Sequence, residues 1–253
     1  MFKKLFGRDN RAPIPDYKVP DGTIVYAVGD VHGRLDLLQA LEQRIVDDAR
    51  MRDATRQVIV YLGDFVDRGY ESRAVIEHLL ETEIEGFERV FLMGNHEEYM
   101  IRFLEDSSKA RGWFANGGIE TLMSYGVIAG GSGATDNELA RVQSEFRAAL
   151  PDTHKSFLAG LPVMHREGDY VFVHAGIRPG VAIDDQDPED LRWIRSDFLE
   201  DKRDYGVVVV HGHTITEHPV DRPNRIGVDT GAYASSRLTC AVLMADRREF
   251  MST

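Results

Sequence analysis

Five short apolar runs in this chain each end in glycine together with aspartate, asparagine or histidine, and this recurrence restricts the fold more than any other feature. Val25-Tyr26-Ala27-Val28 leads into Gly29-Asp30-Val31-His32-Gly33, and Val60-Tyr61-Leu62 into Gly63-Asp64-Phe65-Val66-Asp67-Arg68-Gly69. Val90-Phe91-Leu92-Met93 leads into Gly94-Asn95-His96-Glu97, Tyr170-Val171-Phe172-Val173 into His174-Ala175-Gly176, and residues 207–210 into His211-Gly212-His213-Thr214. Each run reads as a buried strand. A carboxylate on a tight glycine turn at the end of such a strand is poor for stability and good for holding a cation. If the carboxyl ends of these strands lie at one sheet edge, the polar side chains converge there, as ligand groups do in open α/β sheets.

Between the runs, helical periodicity alternates with strand. Leu35, Leu37, Leu38, Leu41, Ile45 and Val46 predict an amphipathic helix after the first turn, and residues 72–80 and 97–104 predict two more. Alternation of this kind indicates an α/β architecture. Residues 163–165 and 170–173 read as a hairpin, and residues 207–210, 225–228 and 238–245 as late strands, so mixed sheets, or two sheets packed together, fit better than one parallel sheet. At 253 residues the chain suits a single large domain. We place it at residues 21–253, after a flexible tail at 1–20 whose end carries prolines. Residues 107–160 read as a mainly helical, cap-like insertion, with a glycine-rich link near residue 130 and a capping box at Thr135-Asp136-Asn137-Glu138 that opens a helix closed by Pro151. The insertion is expected to form a cap or a wall of a cleft.

The net charge of −12 argues against general affinity for nucleic acid or an anionic membrane. A single cysteine, Cys240, rules out an internal disulfide and suits a reducing compartment. The opening residues carry positive charge without an apolar core of signal-peptide type, and no run reaches membrane-spanning length, so a cytoplasmic location is expected by elimination.

Asp30, His32, Asp64, Asn95, His174 and His213 offer carboxylate, amide and imidazole donors but no thiolate. That set suits manganese, iron or zinc better than calcium or a closed structural zinc site. Six protein ligands exceed one four-coordinate ion with an open position, so two ions bridged by Asp64 are the economical arrangement. Such a pair acidifies a water between them and binds two oxygens of a phosphoryl group, while arginine neutralises the remainder. Arg68 and Arg195 are the candidate phosphate clamps, with Arg192 and Arg178 as rivals to the second. His96 is placed to protonate a leaving oxygen, and Asp67 to hold its imidazole.

The three motifs Gly29-Asp30-Val31-His32-Gly33, Gly63-Asp64-Phe65-Val66-Asp67-Arg68-Gly69 and Gly94-Asn95-His96-Glu97 stand in an order that resembles the calcineurin-like metal-dependent phosphoesterases, specifically the phosphoprotein-phosphatase type with its bacterial and phage serine/threonine phosphatases. The resemblance spans about residues 23–245. It implies a four-layer sandwich of two mixed β-sheets flanked by helices. It also implies one ion held by Asp30, His32, Asp64 and His213 and the other by Asp64, Asn95 and His174, with hydroxide between the ions attacking phosphate. The expected substrate is a phosphorylated protein or peptide. The alternative is a dinucleotide polyphosphate, because residues 174–179 resemble the symmetrical diadenosine tetraphosphatases; Asp67 and Glu97 lean away from that sister group. A non-catalytic phosphate or metal sensor is the third reading, and it has no use for a His96–Asp67 pair. His211 is expected to act behind the ligands if at all, and Asp229 is open between a turn and a supporting role.

Overall fold

The computed structural model describes residues 17–130 and 133–253; residues 1–16 of the expected tail and Gly131 and Ser132 of the glycine-rich link lie outside the described residues. The strands are β1 (Thr23–Val28), β2 (Arg56–Tyr61), β3 (Phe87–Phe91), β4 (Met164–Glu167), β5 (Tyr170–Val173), β6 (Val208–His211), β7 (Val220–Arg222), β8 (Arg225–Gly227), β9 (Thr239–Met244) and β10 (Arg247–Ser252). The helices are α1 (Leu35–Ala49), α2 (Ser72–Glu81), α3 (Asn95–Glu105), α4 (Ala110–Phe114), α5 (Gly118–Ser124), α6 (Asp136–Ala149), α7 (Asp152–Ala159), α8 (Pro188–Trp193), α9 (Ser196–Leu199) and α10 (Ala232–Ser235).

Two mixed sheets result, ordered β10-β9-β1-β2-β3 and β4-β5-β6-β8-β7. In the first, β1, β2 and β3 run parallel while β9 and β10 are antiparallel; in the second, β5, β6 and β8 run parallel while β4 and β7 are antiparallel. The period-2 alternation of a strand sends successive side chains to opposite layers. Val25, Ala27, Val58 and Val60 meet Tyr170, Phe172, Val208 and Val210 between the sheets. Ile24, Tyr26, Val28, Ile59 and Tyr61 turn the other way, onto Leu38 and Leu41 of α1 and Val75 and Ile76 of α2. Val171, Val173 and Val209 face Leu191 of α8 and Phe198 of α9. The layers are therefore helix, sheet, sheet, helix, as the resemblance implied. Each fully buried side chain of this size contributes roughly 1.5–3 kcal/mol.

The insertion is more tightly joined to the domain than a separate cap would be. Trp113, Leu122, Val142 and Phe146 belong to the same apolar cluster as α1 and α2. Its capping box is present: the Thr135 hydroxyl accepts the Glu138 N–H at 3.3 Å and the Glu138 carboxylate accepts the Thr135 N–H at 2.7 Å. The lower boundary needs correction, because Tyr17 and Val19 are buried between the sheets and the Val19 N–H bonds Ala245 O at 3.2 Å, so the domain includes residues expected in the tail. Strands β7 and β10 were not expected. They are edge strands with charged, non-alternating sequence, Val220-Asp221-Arg222 and Arg247-Arg248-Glu249, and edges tolerate such residues because one side stays in water. No helix among the described residues is long and apolar enough to cross a membrane.

Candidate active site

The loops after β1, β2 and β3 of one sheet and after β5 and β6 of the other supply the polar groups foreseen from sequence. Asp30, His32, Asp64, Asn95, His174 and His213 are all buried, as are Asp67, His96 and Glu97. Five of these loop residues take left-handed backbone conformations: His32, Asp64, Asp67, Arg68 and His213 have φ of +47°, +53°, +73°, +67° and +62°. Such conformations are unfavourable for side-chain-bearing residues and persist where the surroundings over-determine them. Here close backbone packing does so. A Cβ on Gly94 would stand 2.1 Å from Asp64 Oδ1, and one on Gly212 would stand 2.1 Å from Asp30 Oδ1.

The carboxylate of Asp64 sits between two groups of imidazoles. Its Oδ2 lies 3.4 Å from His174 Nε2, 3.6 Å from His32 Nε2 and 3.9 Å from His96 Nε2, while Oδ1 accepts the His96 backbone N–H at 3.0 Å. His32 Nδ1 donates to Val66 O at 2.9 Å and His174 Nδ1 to Leu62 O at 2.9 Å. A carbonyl only accepts, so each ring carries a hydrogen on Nδ1 and turns Nε2 toward Asp64. Asn95 Oδ1 lies 2.9 Å from His174 Nε2, and His213 Nδ1 lies 3.2 Å from it. Two sets of donors with cation-binding spacing follow, His32–Asp64–His96 and Asp64–His174–His213.

This arrangement differs from the expected division of ligands at one residue. His213 stands with His174 and Asn95, not with Asp30 and His32, because Asp30 engages the His213 backbone N–H, at 3.1 Å to each oxygen, and leaves the ring turned to His174. Asp30 is raised well above the usual carboxylate range by burial and by the neighbouring Asp229. His174 is raised to about 10: burial opposes its charge, and Asp64, Asp30 and the Leu62 carbonyl together outweigh burial. Asp30, Asp64 and Asp229 thus bring three buried carboxyl groups to one site, a set suited to cations.

His96 and Asp67 form the expected pair, Nδ1 to Oδ2 at 2.7 Å. Burial works against a charged His96, yet Asp64 and Asp67 raise it above the ordinary histidine value. Its Nε2 faces the Arg68 guanidinium, with NH2 at 3.2 Å, while Arg68 NH1 lies 3.1 Å from His32 Nε2. Arg68 also stacks over the half-exposed Tyr233 ring at 4.7 Å, a rim residue for which the sequence carried no signal. Arg195 reaches the same loop as His213, donating to His213 O at 3.2 Å and Thr214 Oγ1 at 3.1 Å. Its rivals are engaged elsewhere: Arg192 donates to Glu98 at 2.9 Å and Arg178 to Asp190 at 2.6 Å.

Two further features lie behind the donors; the sequence carried no sign of the first and left the second open. Glu97 is fully buried and collects the N–H groups of Asp64, Phe65, Val66 and Gly94. His211, behind the ligands, accepts Arg225 NH1 on Nε2 at 3.2 Å. The Glu97 contacts to Asp64, Phe65 and Val66 were not legible because they join segments remote in sequence.

The sequence profile of the calcineurin-like phosphoesterases matches residues 24–240. This chain belongs to the calcineurin-like phosphoesterase family. Among curated members, it is 27% identical to the symmetrical bis(5'-nucleosyl)-tetraphosphatase of Dechloromonas aromatica over 156 residues, which is 61% of this chain and 44% of that protein. It is 24% identical over 232 residues to the asymmetrical bis(5'-nucleosyl)-tetraphosphatase PrpE of Bacillus thuringiensis, covering 84% of this chain and 87% of that one. The chain therefore spans less than half of the symmetrical relative's length. A crystal structure provisionally described as a diadenosine tetraphosphatase shares the fold, with TM-score 0.61, 20% identity and coverage of 90% of this chain and 93% of that one.

Divalent cations are implied for a calcineurin-like phosphoesterase, and the donors present fit them. The set is oxygen and imidazole nitrogen around one shared carboxylate. His213 Nε2 is in addition a buried ring nitrogen without a hydrogen-bond partner among the described residues. A buried polar atom of this kind calls for a ligand.

Proposed function

We propose that this calcineurin-like phosphoesterase is a two-cation phosphomonoesterase that acts on phosphoserine and phosphothreonine in proteins or peptides. The observation that carries the reading is the placement of one Asp64 oxygen between two histidine groups, with the hydrogen-bonded His96–Asp67 pair alongside. Asp30, His32 and Asp64 would hold one ion; Asp64, Asn95, His174 and His213 the other. Manganese is the ion proposed, with iron and zinc as the competing cases. The ions supply Lewis acidity toward the water and the phosphoryl oxygens. The chain itself does the rest. Arg68 and Arg195 clamp the phosphoryl group by charge-assisted hydrogen bonds, and His96 Nε2 hands a proton to the departing oxygen while Asp67 fixes the ring through Nδ1.

A second reading, hydrolysis of dinucleotide polyphosphates, is favoured by the names of the curated relatives. Against it, Arg178, in the stretch that resembles the symmetrical enzymes, is tied to Asp190 and Asp197, which withdraws a guanidinium from a polyphosphate chain. The test is the ratio of kcat/KM for a phosphoserine peptide over diadenosine tetraphosphate with manganese-loaded protein and Asp64→Asn as the blank. A ratio well above one supports the phosphatase. A ratio well below one moves the assignment to the second reading, and no activity above the blank on either substrate defeats both.

A further inference from the structure

We infer that residues 113–121 of the insertion form the frame that positions the proton-donating pair, with Trp113 and Thr121 orienting Asp67, and through it His96, and Gly117 fixing Arg68; this rests on the reading of His96 as the proton donor. Trp113 lies in the insertion expected to form a cap or a wall of a cleft, and it is fully buried and faces inward. Its indole N–H points at the Asp67 carboxylate, 3.0 Å from Oδ1 and 2.9 Å from Oδ2. The Thr121 hydroxyl donates to Oδ1 at 2.6 Å, and the His96 ring takes Oδ2 at 2.7 Å. Asp67, Trp113 and Thr121 are all without exposure. In so dry a setting a carboxylate must be met by donors, and the direction of those donors decides where its second oxygen points.

The same segment holds the backbone. Asp67 and Arg68 are consecutive left-handed residues, at φ +73° and +67°. The Asp67 N–H is shared between Thr121 Oγ1 at 2.8 Å and Ser72 Oγ at 3.0 Å, and the Arg68 N–H bonds Gly117 O at 3.1 Å. Gly117 is itself left-handed at φ +101°, and a Cβ there would stand 2.6 Å from the Arg68 nitrogen. Trp113, Gly117 and Thr121 recur every fourth residue, and the turn at Gly117 between α4 and α5 aims all three at the Asp67–Arg68 corner.

A purely structural role for Trp113 accounts for its packing on Phe103 and Phe146 but not for an indole N–H spent on a carboxylate that already holds a histidine. The chemistry shows what the frame is for. In hydrolysis the water oxygen bonds to phosphorus, the ester P–O bond breaks, and its electron pair stays on the leaving oxygen, which takes the proton of His96 Nε2; the proton released by the attacking water restores the imidazole. A serine or threonine oxygen leaves as an alkoxide unless protonated, whereas p-nitrophenolate leaves without help. Misaligning His96 therefore harms the first kind of substrate selectively.

The test uses the manganese-loaded full chain with Thr121→Val, which keeps the volume and removes the hydroxyl, and Trp113→Phe, which removes the indole N–H. A phosphoserine peptide and p-nitrophenyl phosphate are compared for kcat and KM, with thermal unfolding as the check on folding. Each variant is expected to lose kcat on the phosphoserine peptide by about 10-fold to 100-fold, with less than about 3-fold loss on p-nitrophenyl phosphate and little change in KM. Thr121→Val added to His96→Asn should cost nothing further, because both act through one proton transfer. Equal losses on both substrates, or full phosphoserine turnover by a folded Thr121→Val protein, would overturn the inference. If His96→Asn itself treats the two substrates alike, the proton-donor reading fails and the frame falls with it.

Discussion

Glu97 Oε2 accepts the backbone N–H of Asp64 at 2.8 Å, so the residue at the centre of the donor cluster is held in its left-handed conformation by a carboxylate from another strand end. The same carboxylate takes the N–H groups of Phe65 at 2.8 Å and Gly94 at 2.9 Å. Burial, and then the Asp64 charge, raise Glu97 to about 7, yet these amide donors favour its ionised form. Glu97→Gln replaces one acceptor oxygen by an NH₂ that faces N–H groups. We expect it to destabilise the protein by about 2–3 kcal/mol and to weaken cation binding about 10-fold to 100-fold. Urea unfolding and manganese titration check this; wild-type values for both would show that Glu97 does not hold the loop.

Cation binding should release protons. His174, raised to about 10 against the burial that opposes its charge, carries a proton at pH 7 in protein stripped of cations, and it must lose that proton to offer Nε2 as a ligand. Calorimetric titration of stripped protein with manganese in buffers of differing ionisation enthalpy should report about one proton released per site filled at His174 at pH 7–8. Asp64→Asn removes the charge that raises His174, and it should lower both the affinity and the proton count. A heat independent of buffer would refute the link.

The donor set was legible because its residues sit at strand ends, where an apolar run, a glycine and a polar side chain are contiguous in sequence. Asp30, His32, Asp64, Asn95 and His174 were found on this signal, and the alternation of strands with helices gave the α/β class, whereas the four layers came from the family resemblance. What failed was anything decided by a long-range hydrogen bond. The ring of His213, expected beside Asp30 and His32, stands beside His174, and the competing bond from its own N–H to Asp30 crosses 183 positions of chain. The insertion was read as a cap or a cleft wall, and nothing local in it records that the Trp113 N–H meets Asp67, 46 positions earlier. Glu97 stood next to a proposed ligand in sequence, yet its role depends on backbone N–H groups that no pattern of side chains encodes.

Arg195 and Arg178 should separate cleanly. Arg195 hangs over the loop that bears His213, with its bonds to a carbonyl and a hydroxyl, whereas Arg178 is paired with Asp190 and Asp197. Replacing Arg195 by alanine removes a charge-assisted contact to the phosphoryl group and should lower kcat/KM by about 10-fold to 100-fold while weakening inhibition by inorganic phosphate to a similar degree. Arg178→Ala should stay within about 3-fold on the phosphoserine peptide, since the ion pair it breaks is exposed and worth little. The reverse ranking would make Arg178 the clamp and reopen the dinucleotide reading.

Stability toward acid should depend on His211. Burial, reinforced by the adjacent Arg225 charge, lowers its value to about 3, and the neutral ring accepts Arg225 NH1 on Nε2. The unfolded chain binds this proton near pH 6.5 while the folded chain does not until about pH 3, so the contribution of a neutral His211 is complete above about 6.5 and falls progressively as pH drops toward 3. Histidines raised by Asp64, such as His174, stay protonated in the folded cation-free protein across that window, and since they titrate alike in the wild-type and His211→Gln proteins their contribution cancels in the comparison. Glutamine at position 211 keeps an acceptor for Arg225 and cannot titrate. Between pH 6.5 and 5.5 the wild-type protein should therefore lose about 1 kcal/mol more than His211→Gln, read as the difference in urea midpoints at the two pH values. Parallel losses in the two proteins would place the acid sensitivity elsewhere, in the carboxylates that surround the site.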